Sequence, residues 1–232
     1  MNYVALIPAR GASKRIPRKM MKLFKGRPLI EYALGAALES KKVERVVLST
    51  EDDEIKKYVA NIKGVEVFHR SIESTVEPNV PFIHLREFFQ SNSPDAVVML
   101  QATSPFTTGE DIDKAIELFE SLPAKITASL SRDGFSNAPY SVFSGVKLKR
   151  YFYRPMMDGS VAGATEEEYY RPGLDKIKGL FVENGALYVF RRRDFLASGR
   201  IMNGFVACYE MPMRTFYELD TEDDWRLLEN LL

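Results

Sequence analysis

The 232-residue sequence has one cysteine, Cys208, so an intrachain disulfide is impossible. A disulfide-stapled fold is excluded, and a reducing compartment is expected. Cys208 itself reads as a small buried hydrophobe rather than a nucleophile. Histidine is almost as scarce, with only His69 and His84. His69 ends a short strand with no carboxylate or nucleophile beside it, and His84 falls inside a helix, so both read as structural. Net charge is lacking too: 32 basic residues balance 32 acidic ones. That makes general nucleic-acid affinity unexpected and any positive patch local. No apolar run approaches the ~18 residues of a membrane span. No basic stretch leads into a long apolar one at the start. A cytoplasmic protein without a membrane partner is expected. Neither GxxxxGK(S/T) nor GxGxxG occurs in the first loop, which disfavours a P-loop kinase and a dinucleotide dehydrogenase. There is no repeat and no low-complexity tract. What remains, 45% apolar and 28% charged residues, is ordinary for one soluble globular domain.

The chain is organised around its opening stretch. Tyr3 to Ile7 is a short apolar run that breaks at Pro8, the pattern of a buried strand. The loop after it carries Arg10, Gly11, Ser13, Lys14, Arg15, Arg18 and Lys19. From Arg10 to Arg27 there are eight Lys or Arg and no acid, the first carboxylate being Glu31. Such a concentration repels itself unless a polyanion sits there, and a triphosphate is the simplest candidate. Lys and Arg are mostly solvated surface residues, so the weight of this reading comes from position. In an open parallel sheet, ligands sit at the carboxyl ends of the strands. Gly11 allows close backbone approach, and Ser13 adds a hydroxyl.

Strand and helix patterns then alternate. Gly26 to Ser40 reads as a helix with Pro28 in its first turn and Ile30, Ala33, Leu34, Ala37 and Leu38 on one face. Val43 to Ser49 reads as a strand. Thr50 with Asp53 resembles a capping pair, and the acidic cluster Glu51 to Glu54 suits a helix N-terminus, so its role is read as structural. Val65 to Arg70 gives a third strand, and Phe82, Leu85 and Phe89 the core stripe of the following helix. Ala96 to Leu100 is continuously apolar, as in the middle of a parallel sheet. Gln101, Thr103 and Ser104 emerge at its carboxyl end, placed either to bond a sugar or nucleotide or merely to satisfy a turn. Thr107 and Glu110 read as a capping box. Lys125 to Arg132 reads as a fifth strand. Beyond Gly134, turn residues and Tyr140, Tyr151, Tyr153, Tyr169 and Tyr170 mark an extended hairpin with a contact surface. Gly185, within Glu183-Asn184-Gly185, reads as a strained or close-packed backbone. Phe205 to Met211 is a late strand. Asp220 caps the last helix or binds a ligand; Thr221 with Asp224 offers a competing cap. The alternation from Tyr3 to Arg132 indicates an α/β fold, Rossmann-like, with a mostly parallel sheet flanked by helices.

IPARGASKRIPRK closely resembles the opening loop of the acylneuraminate cytidylyltransferases, roughly IPARGGSKxIPxKN. It matches at Arg10, Gly11, Ser13, Lys14, Pro17 and Lys19 and departs at Ala12 and Met20. LQATSP resembles that family's LQPTSP, and the Glu183-Asn184-Gly185-Ala186 block resembles its ENGA block. Asp220 matches the second acid of a family Asp-x-Asp, with Glu218 in place of the first. The resemblance implies a nucleotide-diphospho-sugar transferase type of fold in one domain, residues 1–232, with a dimerisation arm at about 135–178. It implies transfer of CMP from CTP to a nonulosonic acid of sialic, legionaminic or pseudaminic type. Ala9, Arg10, Gly11, Ser13, Lys14, Lys19 and Arg70 would bind the nucleotide, with Arg10, Lys14, Lys19 and Asp220 catalytic. Gln101, Thr103, Ser104 and Arg171 would bind the sugar, and Asp220 with Glu218 would bind Mg²⁺ or Mn²⁺. A homodimer is implied. Two alternatives stay open: a cytidylyltransferase for an eight-carbon octulosonic acid, and a catalytically silent nucleotide- or sugar-binding homologue.

Overall fold

A computed structural model describes residues 1–75, 82–130, 138–165, 173 and 176–231, with the side chains of 127–130 and 231 outside the description. Seven strands form one sheet: β1 (Tyr3–Pro8), β4 (Arg45–Thr50), β5 (Val65–His69), β6 (Ala96–Leu100), β7 (Tyr140–Leu148), β10 (Leu180–Arg191) and β11 (Phe205–Glu210). Their spatial order is β11-β7-β10-β6-β1-β4-β5. β6, β1, β4 and β5 run parallel, and β10 alone is reversed against both neighbours, with β11 parallel to β7. Two short antiparallel pairs complete the strands: β2 (Leu23–Phe24) with β3 (Arg27–Pro28), and β8 (Tyr153–Pro155) with β9 (Val161–Gly163).

The alternation of side chains along a strand sorts the core into two layers. From β1, Tyr3, Ala5 and Ile7 enter one layer and Val4 and Leu6 the other. The first layer is closed by helices α1 (Ile30–Glu39), α2 (Asp53–Val59) and α4 (Gly109–Leu130), through Leu34, Ile55 and Phe119 among others. The second is closed by α3 (Ile83–Ser91) and α5 (Arg192–Ser198), through Phe88 and Phe195. A smaller third cluster joins Ile16, Phe24 and Leu29 to Leu219, Trp225 and Leu228, the last two on α6 (Glu222–Leu231). The expected mostly parallel α/β sheet is therefore what the chain forms.

Several local expectations need correction. Lys125 to Leu130 are not a strand; they continue α4, while 131 and 132 lie outside the described residues. Ile112, Ala115, Ile116, Phe119, Leu122 and Ile126 are all buried at helical spacing, and this packing outweighs Pro123 and the β-branched run after it. Pro28 is not in a helical first turn. It pairs with Leu23 across a two-residue turn in which Lys25 (φ 48°) and Gly26 (φ 85°) are both left-handed, the conformation that matches hairpin twist. On α1 Ala36 is buried and Leu38 is exposed, and on α3 Phe88 joins Leu85 and Phe89 while Phe82 is only partly buried. The α2 cap is Asp52, whose carboxylate accepts from the Ile55 N–H at 3.0 Å, not Thr50 with Asp53. The box at α4 is Thr108 with Asp111, one residue beyond the expected pair. Of the stretch expected to project, Tyr140–Leu148 lies inside the main sheet and β8–β9 stands apart as its own hairpin. Among the described residues, no helix is long and apolar enough to cross a membrane.

Candidate active site

The carboxyl ends of β1, β5 and β6 open onto one cleft of about 490 Å³. Arg10, Ser13, Arg15 and Lys19 line it from the loop after β1. Arg70 lines it from the end of β5, and Gln101 and Thr103 from the end of β6. Glu218 and Asp220 close it from the segment before α6. Lys14 lies in a recess of about 90 Å³ that shares Arg10, Ser13, Arg15, Lys19 and Asp220. Residues some two hundred positions apart thus face one space.

Local contacts explain how each group is held. The Ala9 N–H donates to the Ser49 carbonyl at 2.9 Å, and its side chain is buried in the main core, so Ala9 contributes packing rather than a wall of the cleft. Arg18, at φ 54°, turns the loop into a short 3-10 helix, Lys19–Met21. Lys19 is 8% exposed. Its Nζ donates to the Leu219 carbonyl at 3.0 Å and to Asp220 Oδ1 at 2.8 Å, while Arg15 donates to Asp220 Oδ2 at 3.0 Å. Arg18 grips Asp52 with both terminal nitrogens, at 2.6 and 3.1 Å, and also meets Glu54. The self-repelling cation run is therefore partly balanced by acids from distant parts of the chain.

The acids differ in character. Burial pushes the Glu218 carboxyl up, and the Asp220 charge adds to this, although Thr103 Oγ1 donates to Glu218 at 3.2 Å. Burial acts the same way on Asp220, but Lys19 and Arg15 outweigh it and hold that carboxyl below its usual range. Glu218 and Asp220 are hard oxygen donors and could hold a divalent cation. Among the described residues no group of three or more His, Cys, Asp or Glu could do so.

β10 supplies the notch behind Glu218. Its pairing with β7 shifts register between Glu183 and Tyr188. Gly185 there has φ +66°, and a Cβ on it would lie 2.0 Å from Glu218 Oε1. The expectation of a strained, close-packed glycine is met. Asn184 is wholly structural: its amide donates to Thr215 Oγ1 at 3.0 Å and its oxygen accepts from Ser144 at 2.6 Å. Glu183 accepts from the Tyr188 hydroxyl and lines a second cavity of about 700 Å³. That cavity adjoins the cleft, sharing Phe82, Met99 and Gln101, and Arg86, Arg200 and Ile201 form its far wall.

Some expected residues fall elsewhere. Ser104 is buried with its Oγ unpartnered among the described residues and lines neither cavity. The Gly11 side opens toward Asp52, not the cleft: a Cβ there would meet Asp52 Oδ2 at 2.1 Å. Arg171 lies outside the described residues. Two residues that the sequence did not single out belong to the site. Glu51, read above as a helix-terminus acid, accepts from the Gly11 N–H at 2.7 Å and from Arg70 Nε at 2.9 Å. It is the first residue after a parallel strand, the same position that drew attention to Gln101. His84 lines the cleft, and its buried Nε2 has no partner among the described residues. Burial, helped by the Arg70 charge, pushes its pKa down to about 4. Nothing in the sequence distinguishes it from an ordinary helical histidine.

Residues 4–201 match the family model described as Cytidylyltransferase. Curated relatives include an N-acylneuraminate cytidylyltransferase of Oncorhynchus mykiss, 31% identical over 98% of this chain and 50% of its own length. Another, N-acylneuraminate cytidylyltransferase B of Danio rerio, is 33% identical over 97% of this chain and 50% of its own length. One from Streptococcus agalactiae is 26% identical over 97% of this chain and 52% of its own. The chain thus spans about half the length of the curated relatives it matches. Among solved structures, CMP:2-keto-3-deoxy-manno-octonic acid synthetase complexed with CTP superposes with a TM-score of 0.62 at 17% identity, covering 100% of this chain and 98% of that one. The 4-diphosphocytidyl-2C-methyl-D-erythritol synthase of Anaerococcus prevotii does so with 0.67 at 14%, covering 99% and 97%. At such identities these two show the shared fold.

Proposed function

The chain belongs to the cytidylyltransferase family, and on that premise we propose that it transfers CMP from CTP to the anomeric hydroxyl of a nonulosonic acid. The observation that carries this reading is the single cleft that gathers Arg10, Lys19 and Arg70 with Glu218 and Asp220. In the reaction the hydroxyl oxygen forms a bond to the α-phosphorus, the bond from that phosphorus to the bridging oxygen breaks, pyrophosphate leaves, and the hydroxyl proton is released. Little covalent work falls to the protein; positioning and charge neutralisation dominate such transfers. Arg10, Lys14 and Lys19 act on the triphosphate and the departing pyrophosphate, and Ser13 orients a phosphate oxygen. Gln101 and Thr103 orient the acceptor, which occupies the adjoining cavity, and Arg171 is proposed to meet its carboxylate.

Glu218 and Asp220 fit a divalent cation such as Mg²⁺ or Mn²⁺. Both carboxylates line the cleft, and the Asp220 charge raises the Glu218 pKa, a repulsion that a dication would relieve. Mg²⁺ commonly needs only one or two carboxylates beside substrate phosphates. When bound, the ion would neutralise phosphate charge and acidify the attacking hydroxyl. Lys19 and Arg15 keep Asp220 ionised for that purpose.

The reading extends to one catalytic domain with a dimerisation arm. Its support is a hairpin that exposes Tyr153, Met156, Met157 and Val161. Scattering mass measurements on wild type and Met157→Asp test it: a dimer that the variant loses is expected, and a monomeric wild type refutes it. The test of the activity is pyrophosphate release from CTP with Mg²⁺ across sialic, legionaminic, pseudaminic and octulosonic acids. Turnover with a nine-carbon acid is expected. Turnover with the octulosonic acid alone, or CTP binding without any turnover, overturns the proposal.

A further inference from the structure

β1, β4 and β5 lie side by side, run parallel and end together. The loop with Gly11 leaves the first, Arg70 follows the third, and Glu51 is the first residue after the middle one. Its carboxylate reaches both flanks. Oε1 accepts from the Gly11 N–H at 2.7 Å, and Oε2 accepts from Arg70 Nε at 2.9 Å. Both side chains are shielded, Glu51 being 12% exposed and Arg70 5%. A charge-assisted bond between shielded groups is stronger than a surface pair and restricts the orientation of both. The earlier assignment of Glu51 to the helix dipole does not account for either contact, since the α2 cap is Asp52.

With Nε committed to Glu51, the plane of the Arg70 guanidinium is set. The nitrogens left over, Nη1 and Nη2, carry N–H donors and no acceptor. Arg70 lines the cleft, so there it offers a surface of donors only. A cytosine ring presents two adjacent acceptors, O2 and N3. A uracil ring carries N3–H in place of the second acceptor and would set donor against donor. We propose that Glu51 is a positioning residue: it orients Arg70 to accept cytosine and reject uracil, and ties that base-reading group to the triphosphate loop through Gly11. This rests on the nucleotide-binding reading above.

The experiment is calorimetric titration of CTP and UTP with Mg²⁺ and no acceptor. It uses wild type, Glu51→Gln, Glu51→Asp, Arg70→Lys and the Glu51→Gln/Arg70→Lys pair. In Glu51→Gln the charge that holds the guanidinium is lost and one acceptor becomes a donor, so the remaining oxygen keeps the Gly11 N–H while Arg70 Nε faces an amide N–H. CTP affinity should fall by about ten- to a hundredfold while UTP affinity changes by less than about threefold. Discrimination then narrows. Added to Arg70→Lys, the same change should weaken CTP by less than about threefold, the non-additivity expected when one residue acts through another. Should Glu51→Gln fold poorly, Glu51→Asp, which keeps the charge but withdraws it by one methylene, should show the same narrowing at smaller scale. Equal losses for CTP and UTP, or an unchanged preference in both Glu51 variants, overturn the inference alone. A wild type that binds neither nucleotide overturns the proposed function and this inference with it.

Discussion

Replacing Gly185 by alanine tests how the reversed strand governs the site. Two costs follow from its geometry. At φ +66° an L-residue with a Cβ pays about 1–2 kcal/mol that glycine does not. The new Cβ would also stand 2.0 Å from Glu218 Oε1 and 2.8 Å from its Cδ, so the carboxylate must swing away. That breaks its bond from Thr103 Oγ1, a charge-assisted contact worth about 1.5 kcal/mol. Together the loss is about 3 kcal/mol, a fall in Tm of about 6–12 °C for a domain of this size. Turnover should drop more steeply, on the order of a hundredfold, because a small misplacement of an active-site group is costly. Thermal melts and pyrophosphate release measure the two effects. The combined Gly185→Ala/Glu218→Ala variant separates them. Compared with Glu218→Ala alone it retains the backbone cost but not the collision, so its extra loss should shrink to about 1–2 kcal/mol. An equal penalty with and without the Glu218 side chain would refute the collision. Wild-type turnover in Gly185→Ala would refute a role for the position of Glu218.

Other outcomes follow from the same structure. Asp220→Asn should abolish pyrophosphate release while leaving the circular dichroism spectrum unchanged; a wild-type rate would remove Asp220 from the machinery. His84 should titrate with a midpoint near 4 by NMR, below its ordinary 6.5. Its folded pKa is depressed, so the unfolded state binds more protons between those two values and stability falls as pH drops through that window. The loss is at most about 3 kcal/mol by the linkage relation, and denaturant melts of wild type and His84→Asn at pH 7 and pH 4.5 should differ accordingly. Equal pH dependence in the two proteins would count against it. Ile126→Ala should cost about 2–4 kcal/mol, since the residue is buried beyond Pro123 on the packed face of α4. A loss under about 0.5 kcal/mol would mean that this turn does not pack as described.

The strands at the middle of the sheet were readable because their apolar runs are uninterrupted. Tyr3 to Ile7 and Ala96 to Leu100 carry no competing signal, and the polar residues after them lead directly to the cleft. Lys125 to Leu130 was misread because β-branched residues after a proline look like a strand until Phe119 and Leu122 are seen on the same buried face. The roles of Glu51 and Arg18 were hidden for a different reason. Their partners, Arg70 and Asp52, are set by the neighbouring positions of β1, β4 and β5, and no local spacing encodes which strands become neighbours. The basic run looked uncompensated for the same reason. His84 was invisible because its distinguishing property, a buried nitrogen without a partner, exists only in three dimensions.

The bond between Lys19 and Asp220 spans 201 positions, and the same closing segment buries Leu219 and Trp225 against Ile16 and Phe24. During translation, the parallel strands can therefore pair long before either acid has been synthesised. A nascent protein stalled short of Glu218 has its sheet strands yet neither of the two carboxylates that line the cleft. Because Leu219 and Asp220 are adjacent, supplying the acid to Lys19 and sealing the small third cluster become a single step that follows assembly of the sheet.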